Sequence, residues 1–190
     1  MPTLRARNIR PGFAGESDSL ASPRLAAFGV IDEILPQDVS PAPFDLTNLV
    51  HEVASDGDFE ARAQNRRVVV ERADACTVSG FEELLRSAIE NVVRNAIRHT
   101  AEGTAVAITL QVIGSRVLLR VRDYGLGVEE NMLAEIFLPF RRAEGGNSEG
   151  AGLGLAIASR AVNVHHGRIC AINAPEGGLI VEMDLPPAAI

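Results

Sequence analysis

The sequence contains no lysine, so all 18 of its basic residues are arginines. A P-loop uses a lysine to reach the phosphates of its nucleotide, and the absence of lysine therefore excludes that class of nucleotide site. Cysteine is also scarce. Cys76 and Cys170 provide neither a disulfide framework nor the spacing of a metal site, which favours a protein of the reducing cytoplasm.

Long apolar runs are missing as well. No segment has the length and apolarity of a membrane span, and the N-terminal residues lack the apolar core of a signal peptide. We therefore expect a cytoplasmic chain, and the anchor of any membrane-bound full-length protein would lie outside this sequence. The net charge of −7 argues against a nucleic-acid surface, and 190 residues are enough for one sizeable core.

The stretch from Ser79 to Thr100 is the most informative part of the chain. Its apolar residues recur so that they fall on one side of a helix, and Ser79 with Glu82 has the spacing of a capping box. The opposite side carries Asn91 and Asn95 at i and i+4, although asparagine is not a favoured helix former. These asparagines are either ordinary exposed residues or part of a polar site.

A β-hairpin is predicted after this helix. Two alternating runs, Thr104 to Ile113 and Arg116 to Asp123, flank the two-residue turn Gly114-Ser115. The second run ends in "DYGLG", in which Gly125 and Gly127 allow the backbone to turn closely around Asp123. Taken alone, this sequence is also typical of an ordinary turn.

The segment after the hairpin contains a candidate phosphate site. Glu129 to Phe137 is predicted to form a short helix, and the polar run from Arg141 to Gly150 is predicted to form a mobile loop. The loop leads into "GLGLAIASRAVNVHHG", a predicted helix with a glycine-rich first turn. Helix N-termini present free N–H groups and positive potential, and glycine permits close approach of a phosphate. Strands at Arg168 to Asn173 and Leu179 to Leu185 are predicted to close the chain.

Four separated motifs together resemble the catalytic, ATP-binding domain of bacterial sensor histidine kinases. "ENVVRNAIRHT" is similar to the N box of that family, "DYGLG" to its G1 box, "FLPF" to its F box and "GAGLGLA" to its G2 box. The superfamily also contains DNA gyrase, a heat-shock chaperone and a mismatch-repair protein. We expect an α/β two-layer sandwich, with a mixed, mainly antiparallel sheet of about five strands and three main helices on one face.

The resemblance also implies ligands, partners and site residues. ATP and Mg²⁺ would bind, and the γ-phosphoryl group would pass to a histidine on a separate dimerisation and phosphoacceptor domain and, through it, to a response regulator. No nucleic acid and no membrane contact are implied for this chain. The implied nucleotide-binding residues are Asn91, Asn95, Arg98, His99, Asp123, Gly125, Gly127, Arg142, Gly150, Gly152, Leu153, Gly154 and Leu155. The implied catalytic residues are Glu90, Asn95 and Arg142, and Asn95 is the implied metal ligand.

The residue types fit these roles. Asp123 can accept a hydrogen bond from the exocyclic amine of adenine, where guanine carries an oxygen acceptor. Asn95 offers a neutral carbonyl oxygen to Mg²⁺, which usually takes few protein ligands. The other implied contacts are Asn91, Arg98 and Arg142 at the phosphates, His99 beside the base or ribose, and Glu90 where hydrolysing relatives have a carboxylate that orients water.

The N-terminal part of the chain departs from the family pattern. Residues 1 to 36 show no sustained periodicity and form an uncertain segment, remnant or linker, whereas residues 37 to 190 are predicted to form the ATP-binding domain. Asp45 is a predicted N-cap for a helix to about Gln64. That helix contains His51-Glu52, which begins the phosphoacceptor motif, but the continuation "VASD" lacks its proline. We therefore interpret His51 as an ordinary surface histidine.

Two alternatives remain open. One is an anti-sigma-type serine kinase of the same superfamily, although the F box and the closing strands argue against it. The other is a degenerate nucleotide-sensing or interaction module, because Ala151 stands where the family often carries Thr or Ser and because the loop "AEGGNSEG" is short.

Overall fold

The computed structural model of the protein describes residues 40–141 and 152–188. The predictions for residues 1 to 36, for Arg142 and for Gly150 lie outside the described residues. In chain order, the elements are β1 (Ala42–Asp45), α1 (Leu46–Arg62), β2 (Arg67–Ala73), β3 (Thr77–Gly80), α2 (Glu82–His99), β4 (Ala105–Ile113), β5 (Arg116–Arg122), α3 (Gly154–Val164), β6 (Arg168–Asn173) and β7 (Leu179–Leu185).

The main sheet has five strands in the order β2-β4-β5-β7-β6. β2 pairs with β4 in parallel, and the other three pairings are antiparallel. This arrangement confirms the predicted mixed, mainly antiparallel sheet. The predicted hairpin is confirmed as β4 and β5, with Ile113 opposite Arg116 at the turn.

Apolar and polar residues alternate along the strands, so one face of the sheet is buried and the other is exposed to solvent. In β5, Val117, Leu119 and Val121 are buried against the helices. The residues between them point to the other face, where Arg120 Nε lies 2.7 Å from a Glu182 carboxylate oxygen on the neighbouring β7. Antiparallel sheets commonly keep one face on the core and one in water in this way. The three described α-helices cover the buried face and complete the two-layer sandwich.

The α2 helix has the predicted apolar side but a different start. Its inward residues are buried, from Leu85 to Ile97. The predicted capping box is wrong, because Ser79 belongs to β3 and the helix begins after Phe81, whose side chain makes no capping bond. The N-cap at Asp45 is confirmed, since its carboxylate accepts a hydrogen bond of 3.0 Å from the backbone N–H of Asn48.

One further prediction needs correction. The segment predicted as one helix over Glu129 to Phe137 forms two short 3₁₀ turns, Glu130–Met132 and Glu135–Phe137. β3 lies outside the main sheet and pairs with β1 in a separate antiparallel ribbon. Among the described helices, none combines the length and the apolarity that a membrane crossing requires.

Candidate functional site

The polar side of α2 lies directly against the beginning of α3. Asn91 Nδ2 donates to the backbone carbonyl of Ser87 at 2.8 Å, so the amide group has a fixed orientation. A Cβ atom added at Gly154 would lie 3.0 Å from Asn91 Oδ1. The glycine at the start of α3 therefore allows α3 to approach α2 closely at Asn91.

A cavity of about 300 Å³ opens between α2 and the N-terminus of α3. It is lined by Asn91, Arg94, Asn95, Arg98, Ile136, Arg141, Gly152, Leu153, Gly154, Leu155 and Ile157. Seven of the predicted site residues are thus brought together around one space. Leu153 is the N-cap of α3, and within the described residues no side chain caps this helix. Its first N–H groups and positive end are therefore available to an anion.

Four lining residues were not predicted as site residues. Arg94 belongs to the polar side of α2, and helical periodicity places it beside Asn91, so the sequence carried a signal for it. Arg141 precedes the predicted Arg142. Ile136 and Ile157 come from the second 3₁₀ turn and from α3, and only the packing of these segments brings them to the cavity.

Asp123 lies at the end of β5 and is only 3% exposed. Its Oδ1 accepts hydrogen bonds from the backbone N–H of Gly125 at 2.9 Å and of Leu179 at 3.1 Å. Burial raises the pKa of Asp123 above its ordinary value, and these two hydrogen bonds and the nearby His99 oppose the shift. A carboxyl group in this setting favours any ligand that brings a further hydrogen-bond donor.

Glycine is required where the loop after β5 passes α2. A Cβ atom at Gly125 would overlap the backbone carbonyl of His99, the last residue of α2. Partial burial lowers the pKa of the His99 imidazole, and the Asp123 carboxylate opposes this change. Asn91, Asn95 and His99 follow at four-residue steps, which correspond to about 6 Å each along a helix. α2 therefore connects the cavity with the Asp123 loop.

Glu90 is not brought to the cavity. It lines a separate groove of about 280 Å³ between α1 and α2, together with Val93 and Phe59. A carboxylate oxygen of Glu90 lies 3.9 Å from Arg94 Nη2 in a partly exposed ion pair. The structure thus separates Glu90 from the cavity that contains Asn91 and Asn95. His51 is exposed on α1, in agreement with its interpretation as a surface histidine.

Two residues that hold the Asp123 loop were missed by the sequence analysis. Thr100, just after α2, is 1% exposed, and its Oγ1 accepts a hydrogen bond of 3.0 Å from the backbone N–H of Tyr124. Asn173, the last residue of β6, pairs with the backbone of Val128: its Oδ1 accepts from the Val128 N–H, and its Nδ2 donates to the Val128 carbonyl. The position of Thr100 at the end of a predicted helix could have indicated its role. Asn173 lies 45 residues from Val128, so no local sequence pattern could have indicated this contact.

The donor set fits Mg²⁺ only as part of a nucleotide complex. Among the described residues, no three His, Cys, Asp or Glu side chains are grouped so that they could hold a metal ion. The cavity instead offers the amide side chains of Asn91 and Asn95. Mg²⁺ bound with a nucleotide keeps several waters and phosphate oxygens and needs few protein ligands, so these residues fit it.

Comparison with known proteins gives concordant matches. A profile of the family described as "Histidine kinase-, DNA gyrase B-, and HSP90-like ATPase" matches residues 80–189. The sensor protein PfeS of Pseudomonas aeruginosa is 40% identical over 134 residues, which cover 70% of this chain and 30% of PfeS. This chain therefore spans less than a third of the length of that relative.

Two solved structures share this fold. Full-length ShkA in complex with AMPPNP is 29% identical, with a TM-score of 0.70 over 80% of this chain and 32% of ShkA. The ATP binding domain of PrrB from Mycobacterium tuberculosis is 26% identical, with a TM-score of 0.65 over 80% of this chain and 100% of that domain. Since the family profile covers more than half of its residues, the chain belongs to the histidine kinase-, DNA gyrase B- and HSP90-like ATPases.

Proposed function

We propose that this chain binds ATP with Mg²⁺ and donates the γ-phosphoryl group to a histidine on a separate dimerisation and phosphoacceptor domain. The observation that carries the proposal is the cavity that Asn91 and Asn95 share with the N-terminus of α3. A response regulator would then receive the phosphoryl group from that histidine. The chain would act in the cytoplasm, as the catalytic part of a sensor kinase.

The phosphates occupy the cavity in this proposal. The N–H groups at the start of α3 and the guanidinium group of Arg98 offset their negative charge. Arg141 and Arg94 line the same space, and Arg142 is the next residue in the sequence. When Mg²⁺ is bound with ATP, it neutralises charge on the phosphates, and Asn95 contributes a neutral oxygen ligand. Glu90 lies in the other groove, so we assign it no contact with the phosphates.

The adenine lies at the far end of α2, beside Asp123. The carboxylate accepts a hydrogen bond from the exocyclic amine of adenine, whereas the oxygen of guanine at that position would meet a second acceptor. Burial of the Asp123 side chain strengthens this discrimination, because an unpaired buried acceptor is costly. Asp123 therefore selects ATP over GTP.

The relatives support the same proposal. ShkA is described in complex with AMPPNP, an ATP analogue, and the PrrB structure is described as an ATP binding domain. PfeS is a sensor protein of which this chain matches 30%. The remaining length of such proteins can supply the sensory and phosphoacceptor parts, which is why we place the acceptor histidine on a separate domain.

The proposal is tested in two steps on the full 190-residue chain. Calorimetric titration with ATP and with GTP, each with and without Mg²⁺, should show binding that prefers ATP and strengthens with Mg²⁺. Incubation with γ-labelled ATP and an isolated phosphoacceptor domain should then label its histidine. Equal binding of ATP and GTP would contradict the role of Asp123, and acid-stable label on serine would favour the serine-kinase alternative.

A further inference from the structure

The loop from Asp123 to Val128, here called the adenine loop, is held at its far end by one side chain. Asn173 Oδ1 accepts a hydrogen bond of 2.9 Å from the backbone N–H of Val128. Asn173 Nδ2 donates to the carbonyl of the same residue at 2.6 Å. The amide side chain therefore pairs with Val128 through a donor and an acceptor, as a backbone neighbour in a sheet would.

The fit between Asn173 and the adenine loop is close. Gly127 has a φ of +75°, and a Cβ atom added there would lie 2.7 Å from Asn173 Oδ1. A second acceptor, Glu130 Oε1, lies 3.2 Å from Asn173 Nδ2. These contacts determine how far the loop can move from the end of β6.

The other end of the adenine loop is fixed independently. Thr100 Oγ1 accepts a hydrogen bond from the backbone N–H of Tyr124, and Asp123 Oδ1 accepts one from the backbone N–H of Gly125. Only Leu126, which is fully exposed, lies between these anchors and Gly127. With both ends held, the loop has little freedom, and loss of the Asn173 pairing would release the end that Thr100 does not reach.

We infer that Asn173 is a positioning residue for nucleotide selection, which acts by holding the far end of the adenine loop at the distance from β6 that keeps Gly125 and Gly127 beside a base bound at Asp123. The inference rests on the proposed function, because alignment matters only if a base binds there. Asn173 itself touches the loop backbone and is not a catalytic residue. Its replacement should therefore weaken ATP binding and reduce the preference for ATP over GTP, with the global fold retained.

The primary test compares Asn173→Ala with Asn163→Ala, the same substitution at an exposed asparagine near the end of α3. Hydrogen exchange without nucleotide should become about tenfold faster at Val128 in Asn173→Ala, which corresponds to about 1.4 kcal/mol. Calorimetry should show ATP binding weakened by about tenfold and a smaller ratio of ATP to GTP affinity. Asn163→Ala should match the wild type in each measurement.

A second pair of variants tests the hydrogen-bond pattern itself. Asn173→Asp keeps an acceptor for the Val128 N–H but loses the donor, and it places a carboxylate beside that of Glu130. It should therefore bind ATP more weakly than the wild type. Adding Glu130→Gln removes the repulsion and offers a new donor, so the double variant should recover part of the affinity. Glu130→Gln alone keeps an oxygen acceptor for Asn173 Nδ2, so it should leave binding unchanged.

The outcomes separate this inference from the proposed function. Unchanged exchange at Val128 in Asn173→Ala would overturn the inference, as would uniform acceleration throughout β6 and β7 with lowered global stability, which is a merely structural effect. An unchanged ATP to GTP ratio despite faster loop exchange would also overturn the selection role. If the wild type binds no nucleotide, the proposed function fails, and the selection role fails with it, even where the exchange data show the loop held by Asn173.

Discussion

At the scale of single residues, Asp123 has opposite effects on folding and on the proposed binding of ATP. Burial raises the pKa of its carboxyl group, so the folded state favours the protonated acid. The stability that this group contributes is complete below its ordinary pKa and is lost as the pH rises through the raised value. Once ionised, the buried carboxylate therefore costs stability in the absence of ligand.

The substitution Asp123→Asn should consequently weaken binding without destabilising the fold. The asparagine oxygen can still accept from the N–H groups of Gly125 and Leu179, so the free energy of unfolding should be unchanged or higher at pH 7. ATP binding should weaken by about 1–3 kcal/mol, since a charge-assisted hydrogen bond to the adenine amine is lost. Calorimetry and urea unfolding measure the two effects. Unchanged ATP affinity would remove Asp123 from the adenine site.

At the scale of secondary-structure elements, His165 joins the end of α3 to the start of α2. The ring is buried, and its Nε2 accepts a hydrogen bond of 2.9 Å from the backbone N–H of Phe81. Its Nδ1 lies 2.7 Å from the carbonyl of Ala161, so the pattern requires the tautomer with the proton on Nδ1. A Cβ atom added at Gly80 would overlap this ring. The histidine thus satisfies a backbone N–H at the start of the helix that carries the N box.

Replacing His165 with Ala should destabilise the protein by about 1–3 kcal/mol, because the Phe81 N–H loses its partner and the ring leaves a space. Urea unfolding gives the change in free energy. The matched control is His166→Asn at the exposed neighbour, where φ is 55° and asparagine tolerates the left-handed conformation. Equal stability of both variants and the wild type would show that the hydrogen bond contributes nothing.

Asp58 makes a comparable connection between α1 and β2. It accepts hydrogen bonds from Arg67 Nε at 2.7 Å, from Arg62 Nη2 at 2.7 Å and from the backbone N–H of Val68 at 3.0 Å. The hydrogen bond from Arg67 is the main reason why the pKa of Asp58 lies well below its ordinary range, and burial opposes the shift. The ionised form therefore stabilises the fold above the ordinary pKa, and this contribution is lost as the pH falls toward the lowered value.

The variant Asp58→Asn should have a free energy of unfolding about 1 kcal/mol lower at pH 7, a modest value because both arginines are largely exposed. The difference from the wild type should shrink as the pH falls from about 5 to about 2. Denaturant unfolding across this range measures it, with Asp56→Asn, an exposed residue of the same helix, as control. A difference that stays constant with pH would contradict the ionic mechanism.

At the scale of the whole molecule, ligand binding and stability are coupled. A ligand that binds only the folded state at a hundred times its Kd should raise the free energy of unfolding by about 2.7 kcal/mol. ATP with Mg²⁺ should therefore raise the Tm of the wild type more than ATP alone. The difference in Tm between these two conditions therefore measures the contribution of Mg²⁺ to ATP binding, and the measurement needs no phosphoacceptor domain.

Asn95→Ala should remove most of the Mg²⁺-dependent part of this stabilisation. The residue is half-buried on the polar side of α2, so the apolar side remains intact and the free protein should lose less than about 1 kcal/mol. Thermal unfolding with ATP, with and without Mg²⁺, gives the comparison, and Asn95→Asp is the control that keeps an oxygen ligand but adds negative charge. Full Mg²⁺ dependence in a normally folded Asn95→Ala protein would show that the metal is held elsewhere.

Local sequence patterns determined the elements and most of the cavity. The helical period of α2 placed Asn91 and Asn95 opposite the buried residues, and the alternation around Gly114-Ser115 produced the β4–β5 hairpin. The N-cap at Asp45 followed from its neighbour three residues on. Each of these depends on side chains within a few residues of one another, and such proximity is already present in the primary structure.

Only the tertiary structure decided which distant groups share a site. The backbone N–H of Phe81 finds its acceptor in His165, 84 residues away, and α2 starts without the capping box that the local spacing predicted. Asn173 reaches the adenine loop because β6 ends beside it, and Glu90 faces α1 because α2 packs between two neighbours. The short-range pattern specifies which face of an element is apolar, whereas packing of the whole chain determines what its polar face meets.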